Sequence, residues 1–255
     1  MKVTVVGSAD AFNGAGRGHS CYLLEGGRGP VMVDFGATAL AGLRRLERQP
    51  GELDGILFTH LHGDHIGGVP YFTIDAMFHT GRTRPLSILG PVGTRDRLEA
   101  LLRTTYGPVA DYERSYALDI RELRPRERTE FLGLEITGYP ADHMDPPDLP
   151  LCLRLSRENR TVAFSGDTAM TDGLLEAIDG VDLAFVECTG LAHPIGRHCA
   201  WTDWVEVGPG LTAQQVVFTH LGQDVRAAAE RGHLRLNGGP PFSFADDGQV
   251  HLVAG

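Results

Sequence analysis

Short apolar runs recur along the chain, and their spacing indicates the strands of a layered protein. Several runs are continuous rather than alternating in polarity, which is typical of strands that helices cover on at least one face. The pattern predicts strands over residues 2–7, 21–25, 31–35, 56–59, 86–89, 132–137, 151–155, 162–165, 183–187 and 216–219.

Helical periodicity occurs between these strands, over residues 38–48, 94–105, 173–179 and 224–231. In the second of these segments Leu98, Leu101 and Leu102 lie at i, i+3 and i+4, on one face of a helix. Strands followed by a helix recur in both halves of the chain, which predicts a layered α/β protein. We find no convincing linker, so we expect residues 1–255 to form a single domain.

The composition is that of an ordinary globular protein, with 42% hydrophobic and 22% charged residues. No apolar run approaches the roughly 20 residues that a membrane span requires. The first eight residues have the character of a strand rather than of a signal peptide. We therefore expect a cytoplasmic protein with no membrane partner.

The net charge of −10 argues against a broad nucleic-acid surface, because neutralising phosphates requires clustered Lys and Arg. The stretch 121–128 interleaves Arg with Glu, and we interpret it as a solvated face of mixed charge. The cysteines form no C-x-x-C pair, so we expect buried, reduced thiols at Cys21, Cys152, Cys188 and Cys199.

A dense group of metal-binding side chains follows the predicted strand 56–59. His60, His62, Asp64 and His65 lie within six residues, and Gly63 permits a turn among them. Residues 60 and 62 of an extended segment point the same way, whereas residues beyond the turn point elsewhere. One segment can thus supply ligands to two metals, and its imidazoles and carboxylate suit Zn²⁺, Mn²⁺ or Fe²⁺. The alternative, a polar turn with scattered histidines, fits this density poorly.

Further candidate ligands occupy the ends of other predicted strands. They are His143, Asp167 and His220, each in a polar setting. A single His at a strand end is more often a surface residue. The repetition of an apolar strand followed by His or Asp, however, is what a site at one sheet edge would produce.

The order H-x-H-x-D-H, then His, then Ser-Gly-Asp-Thr, then Thr-His resembles the metallo-β-lactamase superfamily from residue 7 to about residue 220. The resemblance implies a four-layer αβ/βα sandwich that holds two divalent ions, with zinc as the first choice and manganese or iron as alternatives. A hydroxide bridging the two ions would be the nucleophile. The implied ligands are His60, His62 and His143 for one ion, Asp64, His65 and His220 for the other, and Asp167 as a bridge.

Other segments resemble the ribonuclease Z and phosphodiesterase branch of that superfamily. The Gly-rich P-G-H-T pattern of lactamases, glyoxalases and lactonases is absent around His143. Other segments match the branch, namely residues 7–12, 16–20, 84–91, 165–168 and 186–189. In that branch a Glu and a later His pass a proton to the leaving oxygen. The resemblance assigns these roles to Glu187 and His198, with His193 as a rival, and adds Asp64 as a catalytic ligand.

The resemblance also provides a candidate for orienting a ligand. Asp34 resembles the family's Asp that accepts a hydrogen bond from a ligand imidazole. A turn-forming role is the alternative for this residue.

Only 23 residues separate His143 from Asp167, and they are expected to form a pair of strands, so no room remains for the arm that clamps tRNA in ribonuclease Z. We therefore expect a phosphodiesterase for small or cyclic phosphodiesters, with no partner among extended nucleic acids. Enzymes of the family that the chain resembles are often dimers, so the resemblance also implies a homodimer. The alternatives are a lactone or thioester hydrolase, a ribonuclease Z-like RNA 3′-processing nuclease, and a non-catalytic metal-binding relative. Candidates for contacting the substrate phosphate are Arg17, Arg82, Arg84 and Arg197.

Overall fold

A computed structural model describes residues 1–193 and 196–253, and within them the chain forms two mixed sheets of seven strands each. The strands are β1 (Lys2–Gly7), β2 (Cys21–Glu25), β3 (Val31–Val33), β4 (Gly55–Leu57), β5 (Leu86–Pro91), β6 (Leu118–Leu123), β7 (Arg128–Phe131), β8 (Leu134–Pro140), β9 (Leu151–Arg157), β10 (Arg160–Phe164), β11 (Leu183–Glu187), β12 (Val216–Thr219), β13 (Phe242–Phe244) and β14 (Val250–Leu252). The α-helices are α1 (Ala39–Arg45), α2 (Gly63–Ile66), α3 (Val69–Ile74), α4 (Thr94–Tyr106), α5 (Asp172–Ile178), α6 (Trp201–Val207) and α7 (Gln223–Glu230).

Each sheet combines a parallel half with an antiparallel half. The first sheet has the order β14-β1-β2-β3-β4-β5-β6, and its strands run parallel from β3 to β6. The second has the order β13-β12-β11-β10-β9-β8-β7, and its strands run parallel from β10 to β13. Parallel neighbours need crossover connections, and the helices lie in those connections.

Alternating side chains divide the apolar residues among the layers. Val5 and Leu24 belong to the core between the sheets, whereas their neighbours Val6 and Leu23 belong to a second core on the outer face of the first sheet. A third core lies between the second sheet and helices α5, α6 and α7. The predicted four-layer αβ/βα sandwich is therefore confirmed.

An aromatic cluster joins the two sheets below the strand ends. The rings of Phe164 and Phe185 stack at 5.2 Å, and the ring of Tyr22 lies 4.9 Å from each of them. The Tyr22 hydroxyl hydrogen-bonds Thr219 Oγ1 at 2.7 Å, and Thr219 is the last residue of β12. These contacts join the two sheets directly below His220, the residue that follows β12.

Sequence patterning missed the strands at the sheet edges. Leu118–Leu123 pairs with β5 and Arg128–Phe131 pairs with β8, and both overlap the stretch 121–128 that was interpreted as a solvated face of mixed charge. Their side chains are mostly exposed, so that interpretation is confirmed. The polarity of the stretch gave no indication of an extended backbone, and neither strand was predicted.

The expectation for the cysteines is confirmed. All four cysteines are buried and free, as predicted. None of the described helices combines the length and the apolar character that crossing a bilayer requires.

The parallel strands bring their carboxyl ends to one edge of the sandwich. Residues 60–65 follow β4, Asp167 follows β10, Glu187 ends β11 and His220 follows β12. The loop that carries His143 joins β8 to β9 beside them. This edge is where open α/β sheets place their ligands.

Candidate metal centre

The histidine-rich segment bends sharply because its backbone packs against a glycine. Helix α2 begins at Gly63 and ends at Ile66, so its first turn carries Asp64 and His65. A Cβ on Gly36 would lie 1.8 Å from the carbonyl oxygen of Asp64, so only glycine permits this approach. The backbone N–H of Phe35 donates to the carbonyl of His65 at 2.6 Å. These contacts set Asp64 and His65 in the first turn of α2, on the far side of the bend from His60 and His62.

The predicted ligands come together in two adjoining groups. Within each group the ligand atoms all lie within 4.8 Å of one another. Asp167 belongs to one group and also touches the other, since its Oδ2 lies 3.2 Å from His220 Nε2 and 3.6 Å from His143 Nε2. The first group is His60, His62 and His143, and the second is Asp64, His65, Asp167 and His220.

Three atoms of these groups are buried and make no hydrogen bond to any of the described residues. They are His60 Nε2, His65 Nε2 and Asp167 Oδ1. Buried polar atoms without a partner are costly, and in native proteins such atoms call for a bound ion or water. Imidazole nitrogens and a carboxylate oxygen that converge in this way fit a divalent metal ion.

Burial and the neighbouring carboxylates determine the protonation of the cluster. Burial lowers the pKa of His60 well below its usual value, so its ring is neutral and able to bind a metal. Burial opposes the charge on His220 too, but Asp167, Asp64 and Glu187 together outweigh it and raise the pKa of His220 to about 9. Likewise Asp167, Asp34 and Asp64 overcome burial and hold the pKa of His65 well above its usual value. The second group therefore favours positive charge, either a proton or a metal ion.

Buried partners fix the orientation of the ligand rings. Asp34 Oδ2 lies 2.7 Å from Nδ1 of His65, which turns Nε2 of that ring toward the cluster. The same carboxylate accepts hydrogen bonds from the backbone N–H and the hydroxyl of Thr59, both at 2.9 Å. His143 Nδ1 donates to the carbonyl of Arg197 at 3.0 Å, which turns its Nε2 toward the first group, 2.9 Å from His62 Nδ1. The structure thus places Asp34 in the orienting position and not in a turn alone.

Glu187 and His198 form a hydrogen-bonded pair beside both groups. The Glu187 carboxylate is fully buried, and its Oε1 lies 2.8 Å from Nδ1 of His198. The His198 ring centroid lies 4.7 Å from that of His143 and 5.5 Å from that of His220. Burial disfavours the imidazolium, but the hydrogen bond to Glu187 and the charges of Glu187 and Asp167 together outweigh it and raise the pKa of His198 above its usual value. His193 lines the same cavity, and Glu187 is bonded to His198 rather than to this rival.

Thr189 connects this pair to His220, a candidate metal ligand, and sequence reasoning missed this role. Its hydroxyl donates to Glu187 Oε2 at 2.9 Å and lies 3.0 Å from His220 Nδ1, from which it can accept. The backbone N–H of Thr168 donates to Glu187 Oε1 at 2.8 Å, and that of Cys199 donates to Oε2 at 3.2 Å. The signal for Thr189 was its place two residues after Glu187.

Five of the seven candidate ligands line an open cavity of about 630 Å³, namely His62, Asp64, His143, Asp167 and His220. Phe12 and Gln223 lie in its walls, and neither was assigned a role from the sequence. Among the described residues that line it, none is Lys or Arg. Positive charge for binding an anion would therefore have to come from metal ions and histidines.

The arginines expected to contact a phosphate are engaged elsewhere, so that expectation was wrong. Arg82 is buried and donates to the carbonyls of Gly51, Leu53 and Pro85. The other three form ion pairs with carboxylates, and none of the four lines the cavity. These pairs are Arg17 with Asp246, Arg84 with Asp54, and Arg197 with Asp142 and Asp145.

Two relatives match most of the chain in sequence. The uncharacterized protein Rv1339 of Mycobacterium tuberculosis is 27% identical over 227 residues, which cover 87% of this chain and 81% of that protein. A ribonuclease Z of Mycobacterium bovis is 27% identical over 192 residues, or 71% of this chain and 68% of that protein.

Three solved structures superpose over nearly the whole chain. YhfI of Bacillus subtilis, a metallo-β-lactamase fold protein, has a TM-score of 0.78 at 21% identity and covers 98% of both chains. The short form of human tRNase Z has a TM-score of 0.78 at 20% identity and covers 100% of both. A diphosphatase of the PhnP family has a TM-score of 0.75 at 19% identity, covering 99% of this chain and 98% of that one.

These findings confirm the resemblance to the ribonuclease Z-like branch of the metallo-β-lactamase superfamily. Together with the His/Asp cluster, they make the chain a metal-dependent hydrolase. A family model described as "Anti-Pycsar protein Apyc1" matches residues 1–236. Because this match spans most of the 255 residues, the chain belongs to the anti-Pycsar protein Apyc1 family.

Proposed function

We propose that the protein is a phosphodiesterase that hydrolyses small or cyclic phosphodiesters at a pair of divalent metal ions, with zinc as the first choice. One observation carries the proposal: the buried carboxylate of Glu187 holds His198 beside both groups of candidate ligands, on the floor of an open cavity. A phosphodiester leaves an alkoxide when it is cleaved, and an imidazolium oriented by a carboxylate can protonate that oxygen.

The roles we propose for the side chains follow from their contacts. His60, His62 and His143 would hold one ion, Asp64, His65 and His220 the other, and Asp167 would bridge them. When bound, the two ions activate water and neutralise charge on the phosphate.

His198 acts on the leaving oxygen in this proposal. Its Nδ1–H is held by Glu187, so a proton on Nε2 can be transferred to the departing alkoxide. Glu187 accepts hydrogen bonds from the backbone N–H groups of Thr168 and Cys199 and from the hydroxyl of Thr189, which fix its carboxylate beside His198. The raised pKa of His198 keeps the ring protonated to higher pH than a free histidine.

Three features support a small substrate rather than a long nucleic acid. The connection from His143 to Asp167 contains the strands β9 and β10, with no long arm between them. The net charge is −10, and no Lys or Arg occurs among the described residues of the cavity wall. Binding an extended polyanion normally requires clustered cations.

The decisive experiment is hydrolysis of bis(p-nitrophenyl) phosphate by the metal-loaded protein. We expect turnover that a chelator abolishes and that added Zn²⁺ or Mn²⁺ restores. Lactone and thioester substrates serve as the comparison, because the same fold can open either one. Robust lactone opening with no chelator-sensitive phosphodiester cleavage would overturn the proposal and favour the alternative hydrolase.

A further inference from the structure

Phe12 is an exposed aromatic side chain in the wall of the metal cavity. Its side chain is 83% exposed, the largest value among the large hydrophobic residues that the structure describes as exposed. A single exposed apolar side chain is common on protein surfaces and by itself indicates little. The position of Phe12 is informative because the same cavity contains the candidate ligands and His198.

The turn that carries Phe12 is held in place by its own hydrogen bonds. The Asp10 carboxylate accepts from the backbone N–H groups of Phe12 and Gly14, at 3.2 and 3.4 Å. Asn13 adopts a left-handed conformation with φ of 54°, and its side-chain amide donates to the carbonyl of Arg17 at 2.9 Å. The phenyl ring is therefore presented on an ordered turn, which lowers the entropy cost of binding a ligand to it.

This turn is anchored to the segment that follows β12, where the ligand His220 lies. Ala9 forms a bridge with Leu221, and the Leu221 N–H donates to the carbonyl of Ser8 at 3.3 Å. A Cβ on Gly14 would lie 3.6 Å from the carbonyl oxygen of Leu221, so the two segments are in close contact. Phe12 thus occupies a fixed place in the cavity relative to the candidate metal ligands.

The chemistry around Phe12 suits a flat, weakly charged ring. The cavity wall near it includes Ala11, Gly14 and Gly222, which offer little beyond backbone and methyl groups. Gln223 is exposed in the same wall, and its amide can both donate to and accept from the edge of a ring. Aromatic side chains bind nucleobases by stacking, because every base has a π face.

We propose that Phe12 is the stacking surface for an aromatic ring in the alcohol portion of the substrate, and that it selects base-bearing phosphodiesters over aliphatic ones. The inference rests on the proposed phosphodiesterase activity and extends it to the recognition of the substrate. Phe12 acts in binding and has no part in the bond cleavage. Its loss therefore raises KM or Kd and leaves kcat nearly unchanged.

The test compares two substrates that have the same reacting phosphate. One is a nucleoside 3′,5′-cyclic monophosphate, and the other is its abasic ribose 3′,5′-cyclic phosphate analogue. We expect the wild type to favour the base-bearing compound in kcat/KM by about 5- to 150-fold, which is the range that base stacking contributes. Phe12→Ala should remove that preference without weakening turnover of the abasic compound, and Phe12→Trp should restore it.

A matched control is Phe78→Ala, because Phe78 is 58% exposed but does not line the cavity. This variant should retain the wild-type preference. If Phe12→Ala lowered kcat/KM equally for both substrates, or lowered it for neither, the proposal would be overturned.

Calorimetric binding of both compounds to the metal-loaded protein provides a readout that does not depend on turnover. If neither compound is hydrolysed but Phe12→Ala weakens binding of the base-bearing one alone, the phosphodiesterase proposal fails and the stacking role stands. If hydrolysis occurs and the binding of the two compounds responds equally to Phe12→Ala, only the stacking role fails.

Discussion

His198 is the proposed general acid, and it lies beside the candidate metal ligands. Its ring is next to those of His143 and His220, and its Nδ1 is hydrogen-bonded to Glu187. A general acid matters most when the leaving group is a poor one. His198→Ala should therefore lower kcat/KM for an alkyl phosphodiester by about 100- to 10,000-fold. Its effect on bis(p-nitrophenyl) phosphate should be much smaller, because nitrophenolate departs without a proton.

Steady-state kinetics on the two substrates measure this difference. His193→Ala, which alters the rival residue, should leave the ratio of the two rates at its wild-type value. Should His198→Ala slow both substrates by the same factor, His198 would not be the proton donor.

Asp34 controls the orientation of His65 without lying among the candidate ligand atoms. Asp34→Asn keeps the size of the side chain and tolerates the φ of 59° found there, so the fold should survive. Loss of the carboxylate should weaken zinc binding by about 10- to 100-fold, the usual effect of removing such a partner. Competition with a chromogenic chelator measures the change.

The control for Asp34 is Asp75→Asn, which alters a buried carboxylate that pairs with Arg44 away from the cluster. Zinc affinity should be unchanged in that variant. An unchanged affinity in Asp34→Asn would contradict the orienting role.

At the scale of elements, the turn from β4 into α2 depends on the close approach between Gly36 and Asp64. A Cβ on Gly36 would lie 1.8 Å from the Asp64 carbonyl, so Gly36→Ala must displace α2 or the segment after β3. Overpacking of this kind costs about 1–3 kcal/mol of the free energy of unfolding. Thermal unfolding should show a lower Tm for Gly36→Ala.

Gly63→Ala is the matched substitution within the same turn. A Cβ on Gly63 would have no atom within 4 Å among the described residues, and alanine is the better helix former. Its Tm should equal or exceed that of the wild type. Equal stability of the two variants would show that the close approach at Gly36 is not required.

The elements also show what could be predicted from the sequence. Strands β1, β2, β11 and β12 begin and end at the predicted residues, because each is an apolar run buried by the layers around it. The edge strands β6, β7, β13 and β14 escaped prediction, since an edge strand buries few side chains and so contains no long run of buried apolar residues.

The candidate site followed the same logic. His60, His62, Asp64 and His65 could be recognised because they are adjacent in sequence, and the ends of the parallel strands indicated where Asp167 and His220 would lie. The cavity position of Phe12, the contacts of Thr189 and the ion pairs of the arginines could not be foreseen, because each depends on which segments meet in the folded chain.

At the scale of the whole molecule, the charge and the short β9–β10 connection argue against a tRNA substrate. Precursor tRNA should show no saturable binding at physiological salt, and its 3′ trailer should remain intact under conditions in which bis(p-nitrophenyl) phosphate is hydrolysed. Fluorescence anisotropy and gel analysis of the RNA measure these two outcomes. Accurate removal of the trailer would instead favour the ribonuclease Z alternative.

The central claim is that two metal ions held by this cluster perform phosphodiester hydrolysis. The most direct test is to titrate the metal-free protein with Zn²⁺ while recording both bound metal and turnover of bis(p-nitrophenyl) phosphate. We expect activity to rise until about two equivalents of Zn²⁺ are bound, since the candidate ligands form two groups and Asp167 contacts both. Saturation of metal binding at one equivalent, or full occupancy of both positions with no phosphodiester turnover, would contradict it.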